Sequence, residues 1–252
     1  MTIAIEIPPS LAAHLHAARH VVALTGAGIS AESGVPTFRG AQTGLWARYR
    51  PEELATPEAF MRDPRTVWEW YAWRRALVAK AVPNAGHIAL SELEQRAPRF
   101  TLITQNVDGL HHAAGSRNVL ELHGNIQRTR CFDRSHRAET WDESGELPPR
   151  CPTCGSPLRP DVVWFGERLP ESALAQALSA AASCDLFLCI GTSAVVEPAA
   201  SMPFAALQNG TLVVEINPHP TPLTSRAHHA LNAPAGVALP KLVEAAWPPQ
   251  VS

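Results

Sequence analysis

The chain has no apolar run long enough to cross a bilayer, no basic stretch leading into an apolar core at its N-terminus (MTIAIEIPPS), and almost no net charge. The first two absences argue against a membrane span and a secretory leader, and predict a cytoplasmic protein. The third, a formal charge of -2, leaves no field to recruit nucleic acid or an anionic membrane. Neither is expected as a partner, and an acidic ligand has to be held locally. Tyrosine is scarce, with two in the chain, and cysteine is odd in number at five, which argues against a closed disulfide framework. Cys184 and Cys189 sit in the apolar stretch SCDLFLCIG and read as reduced core thiols. Cys131, Cys151 and Cys154 lie in a polar, proline-rich segment and need another explanation.

What is present begins with length: 252 residues suffice for one large domain with a sizeable core. The apolar runs His20–Thr25, Phe100–Thr104, Asn118–Leu122, Asp185–Ile190 and Thr211–Ile216 read as buried strands, with Gly236–Leu239 as a weaker sixth. Pro170–Ser183 and Pro198–Gln208, rich in Ala and Leu, read as helices between them. Buried strands alternating with helices predict an α/β fold, a Rossmann-like parallel sheet with helices on both faces and its ligand at the carboxyl ends of the strands. Two segments break the alternation. One holds a Pro- and Gly-rich loop and helical stretches, clearest in Asp63–Ala81 (DPRTVWEWYAWRRALVAKA); the other, Gly124–Pro160, carries the three polar-segment cysteines. They predict a small inserted lobe built from a helical module and a zinc-ribbon-like module. In this division one catalytic domain spans 1–252, with a large lobe of about 10–38, 98–124 and 161–247 and a small lobe of about 39–97 and 125–160.

The segment VVALTGAGISAESG reads as a strand, a tight glycine turn and a helix start. Gly26, Gly28 and Ala31 fit the loose G-x-G-x-x-G/A pattern, in which the backbone approaches a pyrophosphate whose charge a helix N-terminus favours. Alone, the pattern is equally that of any glycine-containing strand–helix turn. A dehydrogenase should also show a second strand ending in an acid about 20 residues on. Here that window reads TGLWARYRPEE, with no apolar strand before its acids. Hydride transfer is weakened by this, while dinucleotide binding is not.

Five motifs carry a more specific resemblance: GAGISAESGVPTFRG (Gly26–Gly40), TQNVDGLHHAAG (Thr104–Gly115), ELHGN (Glu121–Asn125), VVWFGE (Val162–Glu167) and GTSAVVEPA (Gly191–Ala199). In this order, over roughly Val21–Leu239 and with Asn217 in EINP, they resemble the sirtuin family of NAD-dependent protein deacylases. The resemblance implies NAD as cofactor and acyl-lysine proteins or peptides as partners, bound as an added strand; a monomer is expected. It implies that Gly26, Ala27, Gly28 and Ser30 hold the pyrophosphate through backbone N–H groups and a hydroxyl. Phe38 and Arg39 match the family's mobile cofactor loop over the nicotinamide ribose. Gln105, Asn106 and Asp108 match the signature around the nicotinamide pocket, where a carboxamide can both donate and accept. Asp108 equally suits a helix N-cap. The resemblance also implies that Gly191, Thr192 and Ser193 make a second contact to the cofactor and that Asn217 holds the adenosine ribose. Glu32, Trp46, Val107 and Ala235 are assigned to the same cofactor set.

A lone histidine after a strand is commonly structural, and the chain has eleven. The ELHG context selects His123, which matches the family's catalytic histidine, with Asn106 and Asp108 as further catalytic residues. An ordinary pKa near 6.5 suits a base at neutral pH. His111 and His112 read as surface or packing residues. The resemblance implies attack of the acyl-lysine oxygen on the nicotinamide ribose C1′ with loss of nicotinamide. His123 then helps to deprotonate a ribose hydroxyl, giving free lysine and O-acyl-ADP-ribose. Val162–Glu167 and Val195–Glu197 resemble the two strands between which the peptide lies, making Val162, Phe165, Gly166, Glu167 and Val195 substrate contacts.

Tyr71 and Arg74, in WEWYAWRR, are three apart and so share a helix face. They resemble the Tyr-x-x-Arg pair with which class III sirtuins, the desuccinylase and demalonylase subgroup, bind an acyl carboxylate. Arginine can clamp a carboxylate bidentately and a tyrosine hydroxyl adds a hydrogen bond. Ala55 and Thr37 agree with the same subgroup, and Arg75 points off the pair's face. The alternative is a packed tyrosine and a surface arginine on an aromatic helix.

CPTCG (Cys151–Cys154) is a zinc knuckle, with Cys131 upstream at ribbon distance. The family pattern has two C-x-x-C pairs, but the residue three after Cys131 is Arg134, which cannot be a ligand. His136, Asp133 or water is left as the fourth ligand of a structural Zn2+, or the metal is absent. Two rival functions remain in view. An NAD glycohydrolase or protein ADP-ribosyltransferase on the same fold would keep the cofactor motifs without an acyl-lysine channel. A non-catalytic NAD-binding protein would not need His123, Asn106 and Asp108 together. The peptide motifs and the Tyr71–Arg74 pair favour deacylation, with acetyl-, succinyl- and malonyl-lysine as substrates.

Overall fold

In the computed structural model, which describes residues 5–35, 50–142 and 144–249, the apolar runs become strands of one sheet. Helix α1 (Pro9–Ala17) precedes β1 (His20–Thr25), and a 3-10 turn, Ala27–Ser33, follows it. Helices α2 (Pro51–Leu54), α3 (Pro57–Arg62), α4 (Pro64–Val78) and α5 (Ala85–Arg96) lead to β2 (Arg99–Thr104). Next come α6 (Leu110–Ala113), β3 (Val119–Glu121), β4 (Gly124–Cys131), β5 (Arg137–Ala138) and β6 (Leu158–Val162). The chain then runs through α7 (Glu171–Ser183), β7 (Leu186–Ile190), α8 (Met202–Gln208), β8 (Leu212–Ile216), β9 (His229–Leu231) and α9 (Ala235–Ala246).

Six strands form a parallel sheet in the order β3-β2-β1-β7-β8-β9. β1 and β7 are buried along their whole length because helices cover both faces. α1, α5 and α9 place Leu11, Leu15, Leu90, Leu93, Leu239 and Leu242 on one face; α7 and α8 place Ala177, Ala180, Ala181, Met202 and Ala206 on the other. A strand covered on both sides can be apolar at every position, which is what the sequence runs report. The chain builds outward from β1 to β3, then returns to set β7 on the other side of β1. The loops after β1 and β7 therefore end side by side, where open α/β sheets bind ligands.

Two expectations are corrected here. Gly236–Leu239 is not a strand but part of α9, whose buried positions Ala235, Ala238, Leu239, Leu242, Val243 and Ala246 repeat at helical spacing. The sixth strand is His229–Leu231, at the sheet edge. In addition α5, which the sequence reading assigns to the inserted lobe, packs Ala89, Leu90 and Leu93 into the core of the large sheet.

The second sheet is antiparallel, in the order β5-β4-β6, and α4 lies against it. Asp63 caps α4 by accepting from the Thr66 N–H at 3.0 Å, and Pro64 occupies the first turn, where its missing N–H breaks no helical bond. The helix buries Val67, Trp70 and Tyr71 with Ile126, Val162 and Trp164, and Trp68 with Cys131, Cys151 and Leu158. Arg75 ties helix to sheet: its Nε donates to the Ile126 carbonyl at 2.9 Å and its guanidinium lies 4.8 Å from the Trp68 ring centroid. No helix among the described residues is long and apolar enough to cross a membrane.

Candidate functional site

His123 sits in the short turn between β3 and β4, at the carboxyl end of the large sheet. Gly124 makes that turn possible: its φ is 78°, and a Cβ there would stand 2.2 Å from the Asp161 carbonyl oxygen. The Nδ1 of His123 is 2.9 Å from the carbonyl oxygen of Gln105. A carbonyl only accepts, so Nδ1 carries the proton and Nε2 keeps its lone pair. Burial pushes the imidazole below its ordinary pKa of 6.5, partly offset by the Gln105 bond. The ring is thus neutral at neutral pH and has one basic nitrogen.

Behind His123 lies a buried polar network centred on Ser30. Its hydroxyl donates to Oδ2 of Asp108 at 2.8 Å and accepts from Nδ2 of Asn106 at 3.2 Å. Asn106 also donates to the Gly26 carbonyl at 3.1 Å, and Asp108 accepts from the Leu110 N–H at 2.9 Å. Asp108 thus holds the first residue of α6 as well as the network, while the N-cap of that helix is Gly109 and not Asp108. The sequence reading puts the Ser30 hydroxyl on a pyrophosphate; the structure turns it inward, 1% exposed. It instead braces the two residues expected to be catalytic. His87 reaches the same hydroxyl, with Nε2 at 3.4 Å, and accepts at Nδ1 from the Asn84 N–H. His111 joins from below, its Nε2 2.9 Å from the Thr25 hydroxyl. Burial pushes His111 down to about 3 and His87 below its ordinary value, so both are neutral.

The two glycine loops meet at the sheet's reversal point. Gly191 has φ 58°, and a Cβ on it would lie 2.4 Å from the Ile29 nitrogen; only glycine lets the loops touch. The Gly26 and Gly28 amides donate to the Ile190 and Gly191 carbonyls at 3.0 and 2.8 Å. These two glycines thus contribute close approach and a floor without side chains rather than free N–H donors. Gln105 donates to the Thr192 hydroxyl at 3.2 Å and Asn217 to the Thr192 carbonyl at 2.8 Å, while Ser193 is exposed beside them. Glu32 accepts from the Gly236 N–H at 2.7 Å, at the N-terminus of α9 next to buried Ala235, a favourable place for an acid. Val107 packs against the aromatic cluster around Trp164. Such a side-chain-free floor, flanked by amide side chains and a hydroxyl, suits a dinucleotide. Phe38, Arg39, Trp46 and Thr37 lie outside the described residues.

Tyr71 and Arg74 lie on α4, against the aromatic cluster of the small sheet. Tyr71 is 2% exposed, and its hydroxyl accepts from Nε1 of Trp164 at 3.0 Å. The Arg74 guanidinium lies 4.9 Å from the Trp70 ring centroid and acts electrostatically on Tyr71. Ala55 is buried and accepts from the Phe165 N–H at 2.9 Å. Phe165 and Val195 are each about half exposed, at 48% and 49%. Gly166 has φ 86° and is open to solvent. Val162 is buried in β6, paired with Gly124. The Glu167 carboxylate is held by the buried Arg159, at 2.5 and 2.9 Å, and by the Trp164 N–H at 2.8 Å.

Residues 26–198 match the Sir2 family. The chain belongs to that family. It is 53% identical over 226 residues to an NAD-dependent protein deacylase of Aquifex aeolicus, covering 89% of this chain and 94% of the relative. It is 51% identical over 242 residues to NAD-dependent protein deacylase 1 of Pseudomonas aeruginosa, covering 93% of this chain and 97% of that one. Among solved structures, a Sir2 homologue in complex with NAD superposes with a TM-score of 0.88 at 48% identity, covering 95% of this chain and 94% of that one.

This Sir2 chain also carries a metal-type cluster. Ligand atoms of Cys131, His136, Cys151 and Cys154 all lie within 4.8 Å of one another. The backbone N–H groups of Arg134 and His136 point at the Cys131 sulfur, at 3.3 and 3.2 Å, which is how a knuckle stabilises a thiolate. Three thiolates and an imidazole are a normal donor set for structural zinc. Of the alternatives left open by the sequence, His136 is the residue that joins; exposed Asp133 is not in the cluster. The sequence reading missed His87 and Thr25, which serve the Sir2 site only through tertiary packing and carry no local signal.

Proposed function

We propose that this Sir2 chain is an NAD-dependent protein-lysine deacylase in which His123 is the catalytic base, and in which Tyr71 and Arg74 extend its substrates from acetyl-lysine to succinyl- and malonyl-lysine. The observation that carries the reading is the His123–Gln105 bond, which presents a neutral Nε2 beside the buried Ser30–Asn106–Asp108 network. NAD, when bound, supplies the electrophilic ribose carbon and nicotinamide as leaving group. Asn106 and Asp108 orient the cofactor there, held by Ser30, and His123 takes a proton at Nε2. Gly26, Ala27, Gly28 and Gly191–Ser193 form the floor, with Asn217 towards the adenosine end.

The protein substrate lies as an added strand between Val162–Gly166 and Val195–Glu197, supported by the exposed apolar surface of Phe165 and Val195. Buried Ala55 keeps the pocket wide below the acyl group, and the chain works as a cytoplasmic monomer. What favours deacylation over NAD hydrolysis or ADP-ribosyl transfer is this acyl-side wall, which those reactions do not need. The test is to incubate the protein and NAD with matched acetyl-lysine and succinyl-lysine peptides and follow products by mass spectrometry. Nicotinamide release without loss of the acyl group from either peptide would overturn the proposal.

A further inference from the structure

The segment Val163–Glu167 is fixed to three parts of the site at once. The Val163 N–H donates to the His123 carbonyl at 2.9 Å, and the Phe165 N–H donates to the Ala55 carbonyl at 2.9 Å. Between them Trp164 turns inward, 2% exposed, with Nε1 3.0 Å from the Tyr71 hydroxyl oxygen. The Arg159 guanidinium stacks on its ring, 3.3 Å from the centroid, and is itself held by Glu167. An indole N–H can only donate, so the phenol oxygen is the acceptor in this contact. One lone pair of Tyr71 is used, and among the described residues its O–H proton meets no acceptor. Burial keeps that proton in place, pushing the hydroxyl up to about 12.

We propose that Trp164 is a specificity-determining positioning residue, whose Nε1–H fixes the Tyr71 phenol as a hydrogen-bond donor to the free carboxylate of a dicarboxylic acyl-lysine, beside Arg74. This rests on the carboxylate-recognition reading of Tyr71 and Arg74 above. A carboxylate offers only acceptors, so a phenol that turned its lone pairs towards it would repel it; the indole occupies the acceptor side and removes that orientation. Acetyl-lysine has no second carboxylate and gains nothing from the arrangement. Arg159 and Glu167 hold the plane of the indole, which gives Glu167 a part in selecting the acyl group rather than in gripping the peptide.

The experiment compares the parent with Trp164→Phe, Tyr71→Phe, Arg74→Met and the Trp164→Phe/Tyr71→Phe double variant, on matched succinyl and acetyl peptides at saturating NAD. Trp164→Phe is expected to raise the ratio of succinyl to acetyl KM roughly 3- to 10-fold, the effect of one hydrogen bond, with the ratio of the two kcat values changed less than about twofold. The double variant should be no worse than Tyr71→Phe alone, because the indole acts through the hydroxyl. Since Trp164 is buried, a second replacement by benzothienylalanine, which keeps the indole shape and exchanges N–H for sulfur, separates donor from packing. It should show the same KM change with an unaltered unfolding temperature. Equal losses on both peptides in that variant, or an unchanged succinyl KM, would overturn the role of Trp164. If Tyr71→Phe and Arg74→Met leave the succinyl-to-acetyl ratio unchanged, the carboxylate reading falls and takes the inference with it. If they lower the ratio and the benzothienyl variant does not, only the inference on Trp164 falls.

Discussion

Nδ1 of His123 donates to the carbonyl oxygen of Gln105 at 2.9 Å, so one bond decides which imidazole nitrogen is basic and where it points. His123→Ala should lower deacylation about 100- to 10,000-fold, the usual contribution of a general base, with the fold and NAD affinity kept. Because burial lowers the imidazole pKa, the neutral, active form persists further into acid than for a free histidine. A plot of kcat/KM against pH should therefore rise with a midpoint below 6.5. A midpoint above that value, or near-parent turnover in His123→Ala, would remove His123 from the role.

Arg74→Met should reduce succinyl-lysine and malonyl-lysine removal sharply. Loss of a charge-assisted contact in a partly dry pocket corresponds to about 2–4 kcal/mol, or roughly 30- to 1,000-fold in kcat/KM. Acetyl-lysine removal should hold or improve. The measured quantity is the ratio of kcat/KM for the two acyl forms of one peptide, and equal losses on both would make the helix a support for the fold.

Metal content separates His136 from its neighbours. The cluster of Cys131, His136, Cys151 and Cys154 predicts about one zinc per chain, lost with a strong chelator together with stability of the small sheet. After dialysis, His136→Ala should retain much less zinc than the parent, Asp133→Ala should match the parent, and His136→Cys should hold zinc at least as well. A metal-free parent that unfolds at the same temperature with and without added zinc would rule out a structural metal.

The buried histidines predict an acid limb in stability. His111 stays unprotonated down to about 3 in the fold and His87 is also lowered, whereas both protonate near 6.5 once unfolded. Only the unfolded chain gains protons below that value, so stability is complete above pH 6.5 and declines beneath it. The slope is at most about 1.4 kcal/mol per pH unit per histidine. Urea midpoints from pH 7.5 to 5 measure it, and His111→Gln should flatten the curve; a His111→Gln curve as steep as the parent's would contradict the assignment.

How much of this was legible follows from where each residue's neighbours lie. Strands such as Leu186–Ile190 are covered on both faces, so apolar content alone marks them. The edge strand His229–Leu231 is half exposed and short, and leaves no such mark. Gly236–Leu239 is too short to separate strand from helix; the helical spacing emerges only over Ala235–Ala246, where Pro240 sits inside the helix and disguises it in the sequence. Local context marks His123, Asn106 and Asp108 as candidates, and the fold gathers them at one end of the sheet. Ser30's inward turn and Glu167's grip on Arg159 were not legible, since each depends on a partner placed by the fold. His136 stood between, reachable by spacing from Cys131 but indistinguishable from Asp133 until the loop was seen.

The packing of α4 sets a delay into the chain's synthesis. Its aromatic face, with Trp68, Trp70 and Tyr71, is completed long before the surface that covers it, and Tyr71 meets Trp164 across 93 residues of sequence. At roughly 5–20 residues per second of translation, that face waits about 5 to 20 s for its own chain. During that interval it is an open hydrophobic flank on a nascent polypeptide, the kind of surface that chaperones grip. The flank closes once Trp164 has emerged, so the small lobe passes through part of its synthesis with an aromatic surface uncovered.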